Sequence, residues 1–171
     1  MGLSVIILAA ILLFPVFAQA RSKARTAMCM SNQKQMTLAA MMYAQDNDEH
    51  YPVSTEWMTK TQPYINNTMV NHCPAIAGAG ADNTIVFGYA FNSKMSERSL
   101  AQVNNPPLTA LLYDSSTLTE NASDPVTSLP EPPRHNLLNV ISFADGHAKS
   151  LTIDSLQALL NDPAQKSLFS K

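Results

Sequence analysis

Leu3-Ser-Val-Ile-Ile-Leu-Ala-Ala-Ile-Leu-Leu-Phe-Pro15-Val-Phe-Ala-Gln-Ala20 is an apolar run without a single charge, and its junction with the polar residues behind it decides the fold. Between Ala20 and Tyr43 the sequence contains neither Gly nor Pro, so no turn signal separates the two stretches. Cys29, Met36, Ala40 and Tyr43 fall at i, i+7, i+11 and i+14. That spacing puts them on one stripe of a helix, which predicts that the helix continues to about Asp46 and lays the stripe on a globular domain. Pro15 then sits inside the helix, where it removes a hydrogen bond and should kink the axis. Alternatively Pro15 opens a second helix at its first turn. After Tyr43 the segment Asp46-Asn-Asp-Glu-His50 should fray, and Pro52 stops the helix.

Residues 1–20 have nearly the length of a bilayer span, about 20 residues. The first acidic residue is Asp46, and before it come only Arg21, Lys23, Arg25 and Lys34. An apolar run followed by basic residues fits a segment leaving an anionic membrane surface. A cleaved secretory signal is the competing reading, because Ala18-Gln19-Ala20 is an A-x-A site, although no Lys or Arg precedes the run. An ordinary anchor would place the bulk of the chain in the cytoplasm by the positive-inside rule.

Outward from this segment the chain is polar. Of its 171 residues 46% are hydrophobic, much of that in the first 45, and only 14% are charged, with a net charge of −2. No basic patch points to nucleic acid, and no acidic tail to a charged partner. The remaining domain, rich in Asn, Ser, Thr and Pro, has a modest core. Trp57 and Tyr64 read as a loop or short helix over that core, and Ala75 to Ala81 as irregular. Thr84–Phe91 and Leu108–Tyr113 are predicted strands, the second freed from helix by Pro106-Pro107. Residues 115–133 read as a long surface loop. Asn139–Phe143 and Ala148–Ile153 flank Asp145-Gly146, a strong hairpin signal in which Gly146 supplies a positive φ. Asp154 is predicted to cap a short helix whose apolar face is Leu156, Leu159 and Leu160, and Pro163 to end it.

His135 stands nine residues before Asp145-Gly146. Taken with Ile11–Arg25, Cys29-Met-Ser-Asn-Gln-Lys-Gln-Met36 and Met42–Pro52, this His-x9-Asp-Gly segment makes most of the chain resemble type II secretion pseudopilin-like proteins. The N-terminal pieces are similar to the prepilin-type helix. His135, Asp145 and Gly146 are similar to the processing-associated motif of the same group. Such proteins carry a basic leader, a Gly-Phe junction and an early Glu ahead of the apolar run; here Met1-Gly-Leu-Ser leads directly into apolar residues, about two helical turns inside the usual mature helix.

The resemblance implies an α+β fold: a long kinked N-terminal helix packed on a small antiparallel sheet. Residues 1–20 would be the transmembrane half of the stem, 21–46 its amphipathic half, and 47–171 the globular domain. It implies a filament subunit held in the bacterial inner membrane, with the domain periplasmic or extracellular, and with other pilin-like subunits and secretion-system assembly proteins as partners. The alternative is a secreted soluble binding protein cleaved after Ala20.

Two cysteines permit one bridge in an oxidising compartment. Joining Cys29 to Cys73 would stabilise by about 4 kcal/mol on the chain-entropy model; the other reading is two buried free thiols. Two Cys far apart, with no further ligand at a fixed spacing, do not make a metal site by sequence alone. No cofactor is expected, except that the resemblance to calcium-using pseudopilins admits a calcium-like site on Asp114 and Asp145, better ligands for a hard cation than His. A metal-dependent enzyme built on His135, Asp145 and His147 is the rival from another class. The hairpin reading makes Asp145-Gly146 turn chemistry, and no G-x-S-x-G or Gly-rich phosphate loop supports an enzyme.

Overall fold

A computed structural model of the chain describes residues 2–76 and 86–161, and only the backbone of residues 2–12. Helix α1 spans Gly2–Asp46 without interruption. Pro15 therefore does not begin a second helix; it lies inside the first, where a kink is expected. The helix ends where the acidic cluster begins, and Asp48 and Glu49 turn the chain with φ values of 52° and 60°.

Five strands among the described residues form one sheet: β1 (Tyr89–Asn92), β2 (Ala110–Asp114), β3 (Ser123–Asp124), β4 (Asn139–Phe143) and β5 (Ala148–Leu151), in the order β3-β1-β2-β4-β5. The pairs β1–β2, β2–β4 and β4–β5 are antiparallel. The pair β1–β3 is parallel, so the expected antiparallel sheet carries one parallel edge. The fold is α+β, with the stem helix on one face of the sheet.

Strand alternation assigns the two faces. Tyr89, Phe91, Leu112 and Val140 face α1 and join Cys29, Met36, Ala40 and Ala44. Ala90, Tyr113, Ile141 and Phe143 face the other way. There they meet Leu156 of α3 (Ile153–Asn161) and Ala122 and Val126 of the 115–133 segment. A register shift between Ala110 and Leu112 puts Leu111 and Leu112 into the same cluster. Both faces are thus covered, which is why β2 and β4 are buried along their whole length.

Several boundaries differ from the sequence reading. Tyr43 is only half-buried and packs edge-on against Tyr64; Ala44 takes the buried position, because 3.6 residues per turn advance the stripe by one residue there. The stripe also contains Gln33 and Thr37, both buried. The 115–133 segment is no free surface loop: β3 pairs with β1, and Ala122, Val126 and Leu129 anchor it. Trp57, in helix α2 (Trp57–Thr61), is fully buried, stacks on Phe91 at 5.9 Å and donates its indole N–H to the Ala122 carbonyl at 3.0 Å. Thr152, not Asp154, caps α3: its hydroxyl accepts from the Ser155 N–H at 3.2 Å. Residues 84 and 85 of the first predicted strand, 77–81 of the irregular stretch and the tail from 162, with Pro163, lie outside the described residues.

Candidate functional site

Four segments converge between α1 and the sheet. Cys29 comes from α1, Cys73 from the chain after a short 3-10 turn (Thr68–Asn71), Asp114 from the end of β2, and His135 from the turn entering β4. That turn is closed by paired backbone bonds between His135 and Leu138, with Asn136 and Leu137 at φ 58° and 69°. Two successive positive φ values make a type I′ turn, whose twist suits the strand it leads into.

All four side chains are buried. His135 Nε2 lies 3.2 Å from Asp114 Oδ2 and 3.7 Å from Cys73 Sγ. One donor atom each from Cys29, Cys73 and His135 falls within 4.8 Å of the other two. Asp114 is held from behind: its Oδ1 accepts from the Gln33 amide at 3.1 Å and its Oδ2 from the Val140 N–H at 2.7 Å. The same Gln33 amide reaches the Val140 carbonyl at 3.0 Å. One helical turn on, the Thr37 hydroxyl donates to Ser142 at 2.6 Å. A polar seam therefore runs along the buried stripe of α1. The i+4 relation of Gln33 to Cys29 was the only trace of it in the sequence.

The electrostatics arise from these contacts. The hydrogen bond with Cys29, and after it the one with His135, outweighs burial and pulls the Cys73 thiol down to about 5. The same shared hydrogen bond, then burial, pushes the Cys29 thiol up. Burial opposes charge on His135, but the bonds to Asp114 and Cys73 lift it to about 9. Contact with His135 thus favours the ionised form of Cys73, and contact with Asp114 and Cys73 the ionised form of His135. This is not a Cys-His-Asp relay: such a relay needs its partners on opposite ring nitrogens, whereas Asp114 and Cys73 both meet Nε2.

The two cysteines expected to approach each other do so, as free thiols. Asp114 and Asp145 do not form the calcium-like pair. Tyr113 pairs with Ile141 and Ala110 with Phe143, so Asp114 lies at the opening end of β4 and Asp145 beyond its far end. The same separation parts His135 from Asp145 and His147, which removes the geometric basis of the metal-enzyme reading. At the far end Asp145 Oδ1 accepts from the His147 N–H at 3.1 Å and lies 2.6 Å from its ring Nδ1. Burial raises the Asp145 carboxyl, and the His147 bonds together more than offset it, leaving the carboxyl below its usual range. Gly146 has φ 91°, and the His147 ring stacks on Phe143 at 4.3 Å, so this end is a turn.

The other unusual surface is the stem itself. Leu13, Phe14, Val16 and Phe17 are exposed, Phe14 to 77%. Among the described residues no helix is long and apolar enough to cross a membrane. The half expected to do so, 1–20, falls largely on residues whose side chains lie outside the described set.

A long helix whose apolar first half projects, with its second half laid on a sheet sewn by a buried polar seam, defines an α+β protein of pilin-like build. Residues 18–135 match the family described as "Protein of unknown function (DUF1559)", and the chain belongs to it. The match runs from Ala18, near the end of the apolar run, to His135. No curated protein and no solved structure matches the chain.

Proposed function

We propose that this protein is a pseudopilin-like structural subunit of a filament of the type II secretion or type IV pilus kind, anchored in the inner membrane by its stem. The observation that carries the reading is the run Leu13–Phe17, whose large apolar side chains are exposed among the described residues, Phe14 to 77%. Exposed apolar surface of this kind calls for a covering partner. Burying it against lipid or against neighbouring stems gains about 25 cal/mol per Å² of apolar area. The basic residues Arg21, Lys23 and Arg25 come at the position where a stem leaves an anionic surface. Membership in a family commonly associated with pilin-like and prepilin proteins supports the same reading. The role is assembly, with other pilin-like subunits and secretion-system assembly proteins as partners, and the domain on the periplasmic or outer side.

The helix continues unbroken through Ala18-Gln19-Ala20, which favours a stem over a signal-cleavage edge. A photo-crosslinking amino acid at Phe17, introduced in the native cell, tests the proposal. The expected result is adducts with lipid or with pilin-like subunits in the envelope fraction. A free product beginning at Arg21 in the culture medium, with no adducts, would overturn it in favour of a secreted soluble protein.

A further inference from the structure

The polar seam ends in a group that packing alone does not require. Cys29 and Cys73 are 44 residues apart and His135 a further 62, yet their sulfur and nitrogen atoms share a space 4.8 Å across. A bridge between two cysteines needs only two sulfurs, brought to about 2.0 Å. The third group, an imidazole nitrogen aimed at the same sulfur, is more than a bridge uses. Sulfur and nitrogen bound to one tetrahedral zinc ion lie about 3.6 Å apart, from bond lengths near 2.3 and 2.0 Å. Cys73 Sγ and His135 Nε2 are 3.7 Å apart.

We propose that Cys29, Cys73 and His135 form a buried structural site for a thiophilic divalent cation, zinc, which pins the stem helix to the globular domain. Two thiolates neutralise a dication, so the loaded site holds no excess charge from its own ligands, as a buried site requires. A singly charged soft ion would leave one thiolate unbalanced. All three ligands are buried, and the Asp114 carboxylate, 3.2 Å from the His135 nitrogen, stands where an oxygen can fill the fourth position that a closed structural site needs. The surroundings are built for it. Asp114 is fixed by Gln33 and Val140 and sits 3.2 Å from the ligating nitrogen. When the ion binds, Nε2 gives up its proton, both sulfurs enter as thiolates, and those protons leave to solvent. Asp114 then stands beside the ion, its bonds from Gln33 and Val140 intact.

The site joins three segments through one atom: α1, the chain at 73, and the turn at 135. It gives the motif histidine a task that does not depend on whether the subunit assembles. The test uses the full chain, reduced, stripped with a chelator and kept in detergent. Cobalt(II) serves as the spectroscopic probe and zinc as competitor. The expected result is one cobalt per chain with a thiolate-to-cobalt charge-transfer band, bleached by zinc. Zinc at a hundredfold excess over its Kd should raise Tm by about 5–10 °C. Cys73→Ser and His135→Ala should abolish the band, while His50→Ala and His147→Ala keep it.

Because His135→Ala could fail to fold, the wild-type protein carries a second arm. Metal content and free thiols are counted on chain purified from its own compartment. Bound zinc with both thiols titratable after chelation supports the site. Metal-free chain with no titratable thiol means a Cys29–Cys73 bridge and overturns it. Free thiols that give no cobalt band overturn it equally. None of these readouts depends on filament assembly, so this inference and the functional proposal fail separately.

Discussion

Gly88→Ala will cost about 2 kcal/mol, because the space for its methyl group is already taken, in part by atoms that cannot yield. A Cβ at position 88 would lie 2.7 Å from Ile76 Cδ1, 2.8 Å from Cys73 Cβ and 3.3 Å from Arg134 Nη1. The first is the end of a flexible side chain and can swing aside. The second is attached directly to the Cys73 backbone, and its sulfur is held in the Cys29–His135 group. The third belongs to a guanidinium fixed by two carbonyls, Gly88 at 2.8 Å and Ser115. Overpacking of this kind costs about 1–3 kcal/mol. For a chain of this size about 2 kcal/mol corresponds to a loss of about 4–8 °C in Tm. Thermal unfolding followed by circular dichroism reads it. Ile76→Val removes the Cδ1 contact, so the double variant should recover part of the loss while the Cys73 contact keeps the rest. A single variant melting within about 1 °C of wild type, or full rescue by Ile76→Val, would refute the argument that Cys73 is the rigid wall.

Three further outcomes rest on the same geometry. Gln33→Ala removes the donor shared by Asp114 Oδ1 and the Val140 carbonyl, and should cost about 2–4 kcal/mol in urea unfolding; a loss under about 0.5 kcal/mol would mean the seam is not energetically coupled. Leu137 is 73% exposed at φ 69°, so Leu137→Gly trades left-handed strain for chain entropy and should raise stability by about 0.5–1 kcal/mol, whereas a destabilised variant would show that the side chain packs. Burial raises the Asp124 carboxyl, but bonds from Ser128, Tyr113 and Thr127 more than offset it and hold its folded pKa below the usual value. Its contribution is therefore complete above the ordinary carboxylate range and is lost as pH falls through the depressed value. Trp57, the single tryptophan, donates to Ala122, two residues before Asp124, so its fluorescence should shift in that acid window, and Asp124→Asn should flatten the transition.

What the sequence made legible was local, and what it hid was tertiary. The end of α1 at Asp46 was readable because an acidic cluster and Pro52 leave the helix no continuation. Strand β4 and its Asp-Gly turn were readable because alternation and turn chemistry are encoded within a dozen residues. Strand β3 was not: two residues in a Ser, Thr and Asn-rich stretch have no period, and they pair only because Trp57 and Phe91 hold the Ala122 carbonyl. The Thr152 cap was masked by Asp154, an equally good capping residue two positions on. The Cys-Cys-His group was hidden for a different reason. Its members are recognisable as ligands only when three remote segments meet, so no spacing rule finds them. Distance also undid the calcium-like pair: Asp114 and Asp145 are both apt ligands, and an intervening strand keeps them apart.

That strand also explains why nine residues separate His135 from Asp145. Between His135 and Asp145 lie the type I′ turn that ends at Leu138, the five residues of β4, and Ala144. His135 must reach Asp114 at one end, and Asp145 must open the turn into β5 at the other. Val140 and Ser142 must face α1 while Ile141 and Phe143 face the opposite layer. Adding or removing one residue inside β4 would turn every later side chain to the wrong face. Adding one in either turn would carry His135 from Asp114 or Asp145 from its His147 contact. The spacing is therefore the length of the strand on which the stem rests, with a fastening at each end. The His135 fastening and Gln33 on the stem both hold Asp114. The 135–145 segment and helix α1 are thus joined through one buried carboxylate, and a change at either is felt at the other.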